Sequence, residues 1–160
     1  MTSLEDPTTV VSLLCRVRER LCSLPLQYVI ETMRPLPIAA LAGMPAFVRG
    51  ISVVRGVAVP VVDAGAILGT DQLARPTRFV TFRTGEHQVA LSVEEVVGVR
   101  ELTSASFREL PTLLGEAAGE VVHAIGTLDT DLLFALQTAR IVPESVWQAL
   151  PIPGSNDAIS

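Results

Sequence analysis

Three charged side chains, Glu31, Arg49 and Arg55, interrupt apolar stretches at positions where a strand is expected to begin or end. Arg49 and Arg55 are the only charges between residue 45 and Asp63, and their spacing of six places them on the same side of an extended strand. We predict that Glu31 and Arg55 pair across strands and form a polar anchor beside an apolar groove, which is the composition of a protein interface. The alternative is three solvated charges at strand ends.

The other chemistry-bearing residues do not form a recognisable site. His87, His123 and the two cysteines, Cys15 and Cys22, lack the spacing of a metal site, and no Gly-x-Ser-x-Gly frame holds a nucleophile. The glycines near Arg49 and Arg55 are too far apart for a phosphate-binding loop. The sequence therefore predicts no catalytic residue, no metal and no cofactor, with both cysteines reduced and buried.

Two carboxylate pairs, Glu94–Glu95 and Asp129/Asp131, leave an enzyme as one alternative. Adjacent strand residues point to opposite faces and acids at turns are usually solvated, which does not favour acid–base work. A second alternative is an OB-like barrel that binds an oligonucleotide or oligosaccharide, which needs basic and aromatic residues on one face. The net charge of −5, the isoelectric point near 5.0 and the 4% aromatic content argue against it and against any nucleic-acid partner.

The composition predicts a protein with a large aliphatic core. The 160 residues are 49% hydrophobic and their mean hydropathy is +0.46. No stretch approaches the roughly 20 apolar residues that a membrane span needs, and the N-terminus lacks a secretory pattern. We therefore expect a cytoplasmic protein that does not insert into a membrane.

The segment that carries the two arginines predicts a β-hairpin. β-Branched residues alternate on both sides of an Arg55-Gly56 turn. Pro60 lacks a backbone donor, so the second strand is expected to lie at a sheet edge or to end near that residue. Gly50, directly before the first strand, is expected to let a partner approach the backbone closely.

An internal repeat relates the two halves of the chain. A shift of 67 residues overlays the apolar positions of 24–30 on those of 91–97, and a shift of 74 overlays 51–68 on 125–142. The repeat predicts a mainly β fold of two similar five-stranded β-barrel subdomains with short helices and a C-terminal helix. Closing each sheet would remove exposed strand edges.

The expected organisation follows the repeat. A flexible tail covers residues 1–9, a single domain 10–150, and a second flexible tail 151–160. Within the domain we expect a first barrel over about 10–69, a linker over 70–77, a second barrel over about 78–142 and a closing helix over 143–150.

The polar positions of the repeat differ between the halves. Arg55 of the first half becomes Asp129, Gly50 becomes Ala124, and Asp63 becomes Gln137, whereas the apolar positions keep their character. Function is therefore expected to be asymmetric between the halves.

The hairpin sequence PAFVRGISVVRGVAVPVVD, followed by a short helix and Gly, resembles the signature of the CheW-like family of chemotaxis coupling proteins. The resemblance covers about residues 10–150, including IGTLDTDLLFALQTARIV in the second half. It implies two five-stranded barrels, of the SH3-like and OB-like kind, around a shared hydrophobic interface. Val53 stands where the family usually has Asn, so the chain resembles a divergent member.

The resemblance implies a non-enzymatic adaptor. It would couple the regulatory domain of a CheA-type histidine kinase to the cytoplasmic tips of methyl-accepting chemoreceptors, in receptor arrays at the inner membrane, and would be monomeric when free. The receptor tip, a helical bundle, is expected to lie in an apolar groove, with the kinase on the first barrel away from it. The predicted partner-binding residues are Val29, Glu31, Arg49, Gly50, Ile51, Val53 and Arg55.

Overall fold

A computed structural model describes residues 9–70, 77–103, 107–108 and 122–150, and these residues form eleven β-strands in two sheets. The two predicted tails, apart from Thr9, and most of the predicted linker lie outside the described ranges. No helix in the described part of the chain is long and apolar enough to cross a membrane.

The strands of the first half are β1 (Thr9–Val17), β2 (Arg20–Pro25), β3 (Val29–Met33), β4 (Val48–Val54) and β5 (Val57–Asp63). The second half contributes β6 (Arg78–Thr84), β7 (His87–Val93), β8 (Glu95–Thr103), β9 (Phe107–Arg108), β10 (Val122–Leu128) and β11 (Asp131–Leu136). Helical turns are short: two 3-10 turns (Leu26–Tyr28 and Thr138–Arg140), α1 (Ala64–Ile67) and α2 (Glu144–Ala149). The predicted closing helix is α2, which begins after Pro143.

The two sheets exchange strands between the halves of the chain. Sheet A has the order β8-β1-β2-β11-β10-β9 and sheet B the order β3-β6-β7-β5-β4. The first two strands of each repeat therefore pair with the last three of the other, through parallel contacts of β2 with β11 and of β7 with β5. The prediction of one barrel per half is wrong, because the repeat gives both copies the same apolar frame and a strand fits either sheet.

Neither sheet closes into a barrel within the described residues. Each sheet has two different terminal strands, and no hydrogen-bonded ladder joins them. The mainly β, two-subdomain architecture is nevertheless as predicted, with β9 as a two-residue addition to five longer strands in sheet A.

Three apolar clusters hold the two sheets together. The largest lies between the sheets and combines sheet A residues such as Leu13 and Phe134 with sheet B residues such as Phe82 and Leu91. A second cluster lies on the far side of sheet B and includes Phe79. A third lies on the far side of sheet A and combines buried residues with partly buried ones: Leu14, Leu21, Leu102, Leu133, Phe107 and Leu128. Each sheet thus covers its own core while both share the central one.

Irregularities of the backbone recur at equivalent places in the two repeats. A bulge at Ile30 in β3 has its counterpart at Val97 in β8, 67 residues later. On the outer edge of β4, Ile51 forms a β-bridge with Ala39. At the equivalent position in β10, 74 residues later, Ile125 pairs with Arg108. These matches confirm the repeat at the level of local geometry, since bulges are specific structural features.

The two cysteines face each other in the interior. Cys15 and Cys22 are fully buried, are direct partners across β1 and β2, and are free thiols. A hydrogen bond with Cys15 and burial together raise the pKa of the Cys22 thiol well above its ordinary value. Cys22 is therefore held in its unreactive protonated form.

Candidate protein-binding site

The turn between β4 and β5 has a backbone that its first residue does not favour. Arg55 and Gly56 have φ values of 50° and 83°, as a two-residue hairpin turn with the right-handed strand twist requires. Glycine adopts this region freely, whereas a long side chain such as arginine rarely does. The chemistry of the guanidinium group, and not the turn geometry, accounts for Arg55 at this position.

Arg55 forms a two-pronged ion pair with Glu31. Its Nε donates to Oε2 and its Nη2 to Oε1, both over 2.8 Å. The bond to Arg55 lowers the pKa of the Glu31 carboxyl from its ordinary value, and the same bond raises the pKa of Arg55. The predicted cross-strand pair is confirmed, with the Arg55 side chain 74% exposed and that of Glu31 27% exposed.

The ion pair bridges the open side of sheet B. Glu31 lies on β3 at one edge of the sheet, and Arg55 follows β4 at the other edge. Glu31 pairs with Thr81, two residues before Met33 pairs with Phe79, so it faces the side that carries the far cluster. The sheet therefore curls over that cluster, and the Arg55–Glu31 pair joins edges that no backbone ladder joins.

Arg49 has a different partner and a different role. It is the extra residue of a bulge in β4, between Val48 and Gly50, and its Nη1 lies 3.4 Å from Oδ2 of the fully buried Asp63. Asp63 also accepts from the backbone N–H groups of Gly65 (2.8 Å) and Ala66 (3.4 Å), which caps α1. Asp63 lies opposite Ser92, which lies opposite Phe79 of the far cluster, so Arg49 and Arg55 bind separate carboxylates on the same side of sheet B.

The space beside Gly50 is filled by another segment of the same chain. The φ of Gly50 is 147°, and a Cβ at this position would lie 2.2 Å from the backbone oxygen of Ala39. Ala39 and Ile51 exchange two backbone hydrogen bonds of 2.8 and 2.9 Å, and Ser52 donates to the Pro37 carbonyl over 2.7 Å. The close approach predicted for Gly50 is therefore made by residues 37–39 and not by a partner.

The three predicted groove residues do not form a groove. Val29 lies on β3 and packs against the central cluster, whereas Ile51 and Val53 lie on β4 at the opposite edge of sheet B. The Arg55–Glu31 pair joins the β3 and β4 edges of sheet B on the side of the far cluster. Val29, Ile51 and Val53 point to the opposite, convex side, where the two edges lie apart. Val53 is 67% exposed, the highest value among the exposed large apolar side chains of the described residues, whereas Val29 and Ile51 are partly buried. We call Glu31, Val53 and Arg55 the hairpin tip.

A second exposed apolar surface was missed by the sequence prediction. The 3-10 turn that carries the chain from sheet A to sheet B packs against β1 and exposes Leu26 and Tyr28. Val11 lies one residue before the Ser12–Pro25 pair, in a groove beside this turn, and Val99 lies diagonally across from it on β8. We call these residues, with Ile30, the apolar margin: Val11, Leu26, Tyr28, Ile30 and Val99. The sequence did not mark this surface, because it forms where the chain crosses between the sheets and the exchange of strands was not predicted.

Two of the four carboxylates considered for catalysis have other partners. Asp131 accepts from Arg16 over 3.2 Å, and Glu94 accepts from the backbone N–H of Arg18. Asp129 occupies the exposed turn of the second hairpin. In the ranges that the structure describes, no group of three or more His, Cys, Asp or Glu residues is placed to hold a metal ion.

Three comparisons place this geometry among known proteins. The family model described as CheW-like domain matches residues 12–146. Protein FrzA of Myxococcus xanthus is 30% identical over 135 residues, which are 78% of this chain and 84% of that protein. The crystal structure of the scaffolding protein TtCheW from Thermoanaerobacter tengcongensis superposes with a TM-score of 0.66 at 20% identity, over 81% of this chain and 90% of that chain.

The fold is therefore that of a two-sheet CheW-like domain. The chain belongs to the CheW-like family, as the hairpin signature predicted, because the family model spans almost all of the described sheets. The family is thus shown by sequence, and the TtCheW structure supports its architecture.

Proposed function

We propose that the protein is a non-enzymatic adaptor that joins a CheA-type histidine kinase to the cytoplasmic tips of chemoreceptors. The proposal rests on membership of the CheW-like family together with two exposed surfaces, one centred on the β4–β5 turn and the other on the 3-10 turn at Leu26–Tyr28. An adaptor needs two docking surfaces, and the hairpin tip and the apolar margin are candidates for them.

The hairpin tip is the observation that carries the proposal. A charged pair with a two-pronged geometry lies at this turn, Val53 is exposed two residues before Arg55 on the convex face, and an arginine occupies a left-handed position where Gly or Asn would suit the backbone. Arginine is enriched among interface hot spots, and the exposed valine adds apolar area at the same turn. We assign the hairpin tip to the kinase regulatory domain, a folded partner that can meet a convex surface.

The apolar margin suits the receptor. A chemoreceptor tip is a helical hairpin, and a helix binds by laying an apolar stripe along a groove. Val11 is 44%, Tyr28 38% and Ile30 42% exposed, although each belongs to or adjoins a regular strand. The groove beside the 3-10 turn, lined by Val10, Val11, Pro25 and Gln27, offers a place for such a stripe.

Two substitutions separate the two surfaces. Val53→Glu is expected to weaken binding of the kinase regulatory domain at least about tenfold and to leave receptor-tip binding unchanged, because it places a charge in the contact. Val11→Glu is expected to do the reverse. Isothermal titration of each variant with each purified partner measures both affinities.

Leu132→Glu is the matched control. Leu132 is 43% exposed on the second hairpin, at the repeat position of Ala58 on the first, and it should change neither affinity. Full-length protein that binds neither partner overturns the adaptor role. Equal effects of Val53→Glu and Leu132→Glu overturn the assignment of the hairpin tip.

A further inference from the structure

Strand β8 leaves one edge open in the described part of the chain. It is nine residues long, stands first in sheet A and pairs only with β1. Its equivalent in sheet B is the edge strand β3, where Glu31 binds Arg55 from the opposite edge of that sheet. In sheet A, Gly98 takes the repeat position of Glu31 and Asp129 that of Arg55, so this ion pair is not duplicated. A Cβ at Gly98 would meet no atom within 4 Å, so the face of the sheet beside this residue is open as well.

The sequence of this edge is self-complementary in an antiparallel pairing. The residues 95–100 read EVVGVR. When two copies run antiparallel about a point between Val97 and Gly98, Glu95 of one faces Arg100 of the other, twice. Val96 faces Val99, also twice. Charges on an edge strand normally deter pairing, but charges of opposite sign at facing positions attract each other.

The bulge places the facing residues on the same side of the sheet. Glu95 is opposite Arg16 and Arg100 is opposite Ser12 on β1, four residues apart, so both point to the outer face. Without the bulge, Glu95 and Arg100, which are five residues apart, would point to opposite faces. Glu95 of one copy could then not contact Arg100 of the other in a continuous sheet. Val96 and Val99, opposite Cys15 and Leu13, share the inner face in the same way.

We propose that a second copy of this protein pairs with the edge of β8, antiparallel and about a two-fold axis, to form a continuous sheet across the dimer. The contact is isologous, because every interaction occurs twice. It departs from the monomeric free state that the family resemblance implied. The pairing covers Val99 of the apolar margin, so a dimer and a receptor-bound adaptor exclude each other.

Charge reversal tests the pairing with the full-length protein alone. Arg100→Glu and Glu95→Arg each place like charges opposite each other twice. Each is expected to weaken self-association at least about tenfold in sedimentation velocity over a range of protein concentrations. The double variant Glu95→Arg with Arg100→Glu exchanges the charges and is expected to restore the dimer.

The outcomes decide the proposal without reference to kinase or receptor. A dimer that is lost in both single variants and regained in the double variant supports it. A monomer at all concentrations, or a dimer that the single variants leave unchanged, overturns it and leaves the edge to another occupant. A Val97→Cys variant gives an independent readout: a disulfide-linked dimer under oxidising conditions supports the register, and its absence in a dimeric sample contradicts it. Far-ultraviolet circular dichroism of every variant verifies the fold.

Discussion

The two hairpins, β4–β5 and β10–β11, share one backbone design and differ in the side chains at their tips. Both carry a bulge two residues into the first strand, and both have a left-handed residue in the turn, with φ of 50° at Arg55 and 56° at Asp129. Aspartate tolerates this conformation because of its short polar side chain, whereas arginine does not favour it. Both repeats therefore share the left-handed turn conformation, whereas only the first repeat has an arginine in it.

The surroundings of the two hairpins diverge in the same way. The first hairpin bonds its tip to another strand, packs a chain segment against Gly50 and ends in a buried carboxylate, Asp63. The second hairpin has Ala124 and Gln137 at the corresponding positions, and Gln137 caps no helix with its side chain. Four comparisons of equivalent positions test this contrast and extend it to β2 and β7, taken from the largest expected effect to the smallest.

Gly50→Val is expected to destabilise the protein by more than about 3 kcal/mol, since the new side chain would overlap the Ala39 backbone and the φ of 147° is strained for any L-residue. Urea unfolding followed by circular dichroism measures the change. Ala124→Gly, the matched change in the second hairpin, should cost no more than about 1 kcal/mol. Comparable losses at the two positions would contradict the difference between the hairpins.

Asp63→Ala is expected to cost about 2–3 kcal/mol of unfolding free energy. The change removes the helix cap of α1 and takes from Arg49 its carboxylate partner. Gln137→Ala at the equivalent position should cost less than about 0.5 kcal/mol, because that side chain makes no cap. Asp63→Asn keeps an oxygen that can cap α1 but removes the charge that pairs with Arg49. A loss of stability between those of wild type and Asp63→Ala would show how much each interaction contributes.

Arg20→Met and His87→Ala compare equivalent residues that begin β2 and β7. Arg20 donates to the Leu68 carbonyl after α1 and lies over the Phe134 ring, with 5.6 Å to the ring centroid. His87 stacks on Trp147 of α2, with 4.1 Å between ring centroids. We expect about 1–2 kcal/mol for Arg20→Met and about 0.5–1 kcal/mol for His87→Ala.

The fluorescence of Trp147, which is the single tryptophan of the sequence, gives His87→Ala a direct readout. The emission spectrum should change in His87→Ala and stay constant in Arg20→Met. An unchanged spectrum in His87→Ala would show that the stacked pair does not hold α2.

Arg55→Ala is expected to have the smallest effect on stability and a clear pH dependence. The melting temperature should fall by no more than about 3 °C near pH 7, because the pair is largely exposed. A carboxyl whose pKa is lowered on folding stabilises the fold above its unfolded pKa, and this contribution is lost as the pH falls through the folded value. The difference between wild type and variant should therefore be constant above about pH 5.5 and shrink to zero in acid, below the ordinary Glu value of 4.5.

Melting curves of both proteins from pH 2 to 8 measure this difference. Asp129→Ala serves as the control at the same turn position. A difference between wild type and Arg55→Ala that persists in acid would show that Arg55 acts through packing and not through Glu31.

The sequence predicted the fold class, the repeat and the Arg55–Glu31 pair, because alternation and repeated apolar spacing are local properties of the chain. It did not predict the exchange of strands, since two copies with the same apolar frame offer the same pairing surface. The bulge at Arg49 was also hidden, because one extra residue leaves no mark on composition and yet reverses every side chain beyond it. The apolar margin depends on where the sheets cross, and this depends on the exchange.

The strand exchange has a consequence for folding. Because β1 and β2 need β8 and β11 as neighbours, neither sheet can be completed until most of the chain has left the ribosome. Contacts between residues this far apart in sequence make folding slow compared with a helical protein of equal length. They also join the two sheets into a single cooperative unit, so the hairpin tip and the apolar margin should unfold together in one transition.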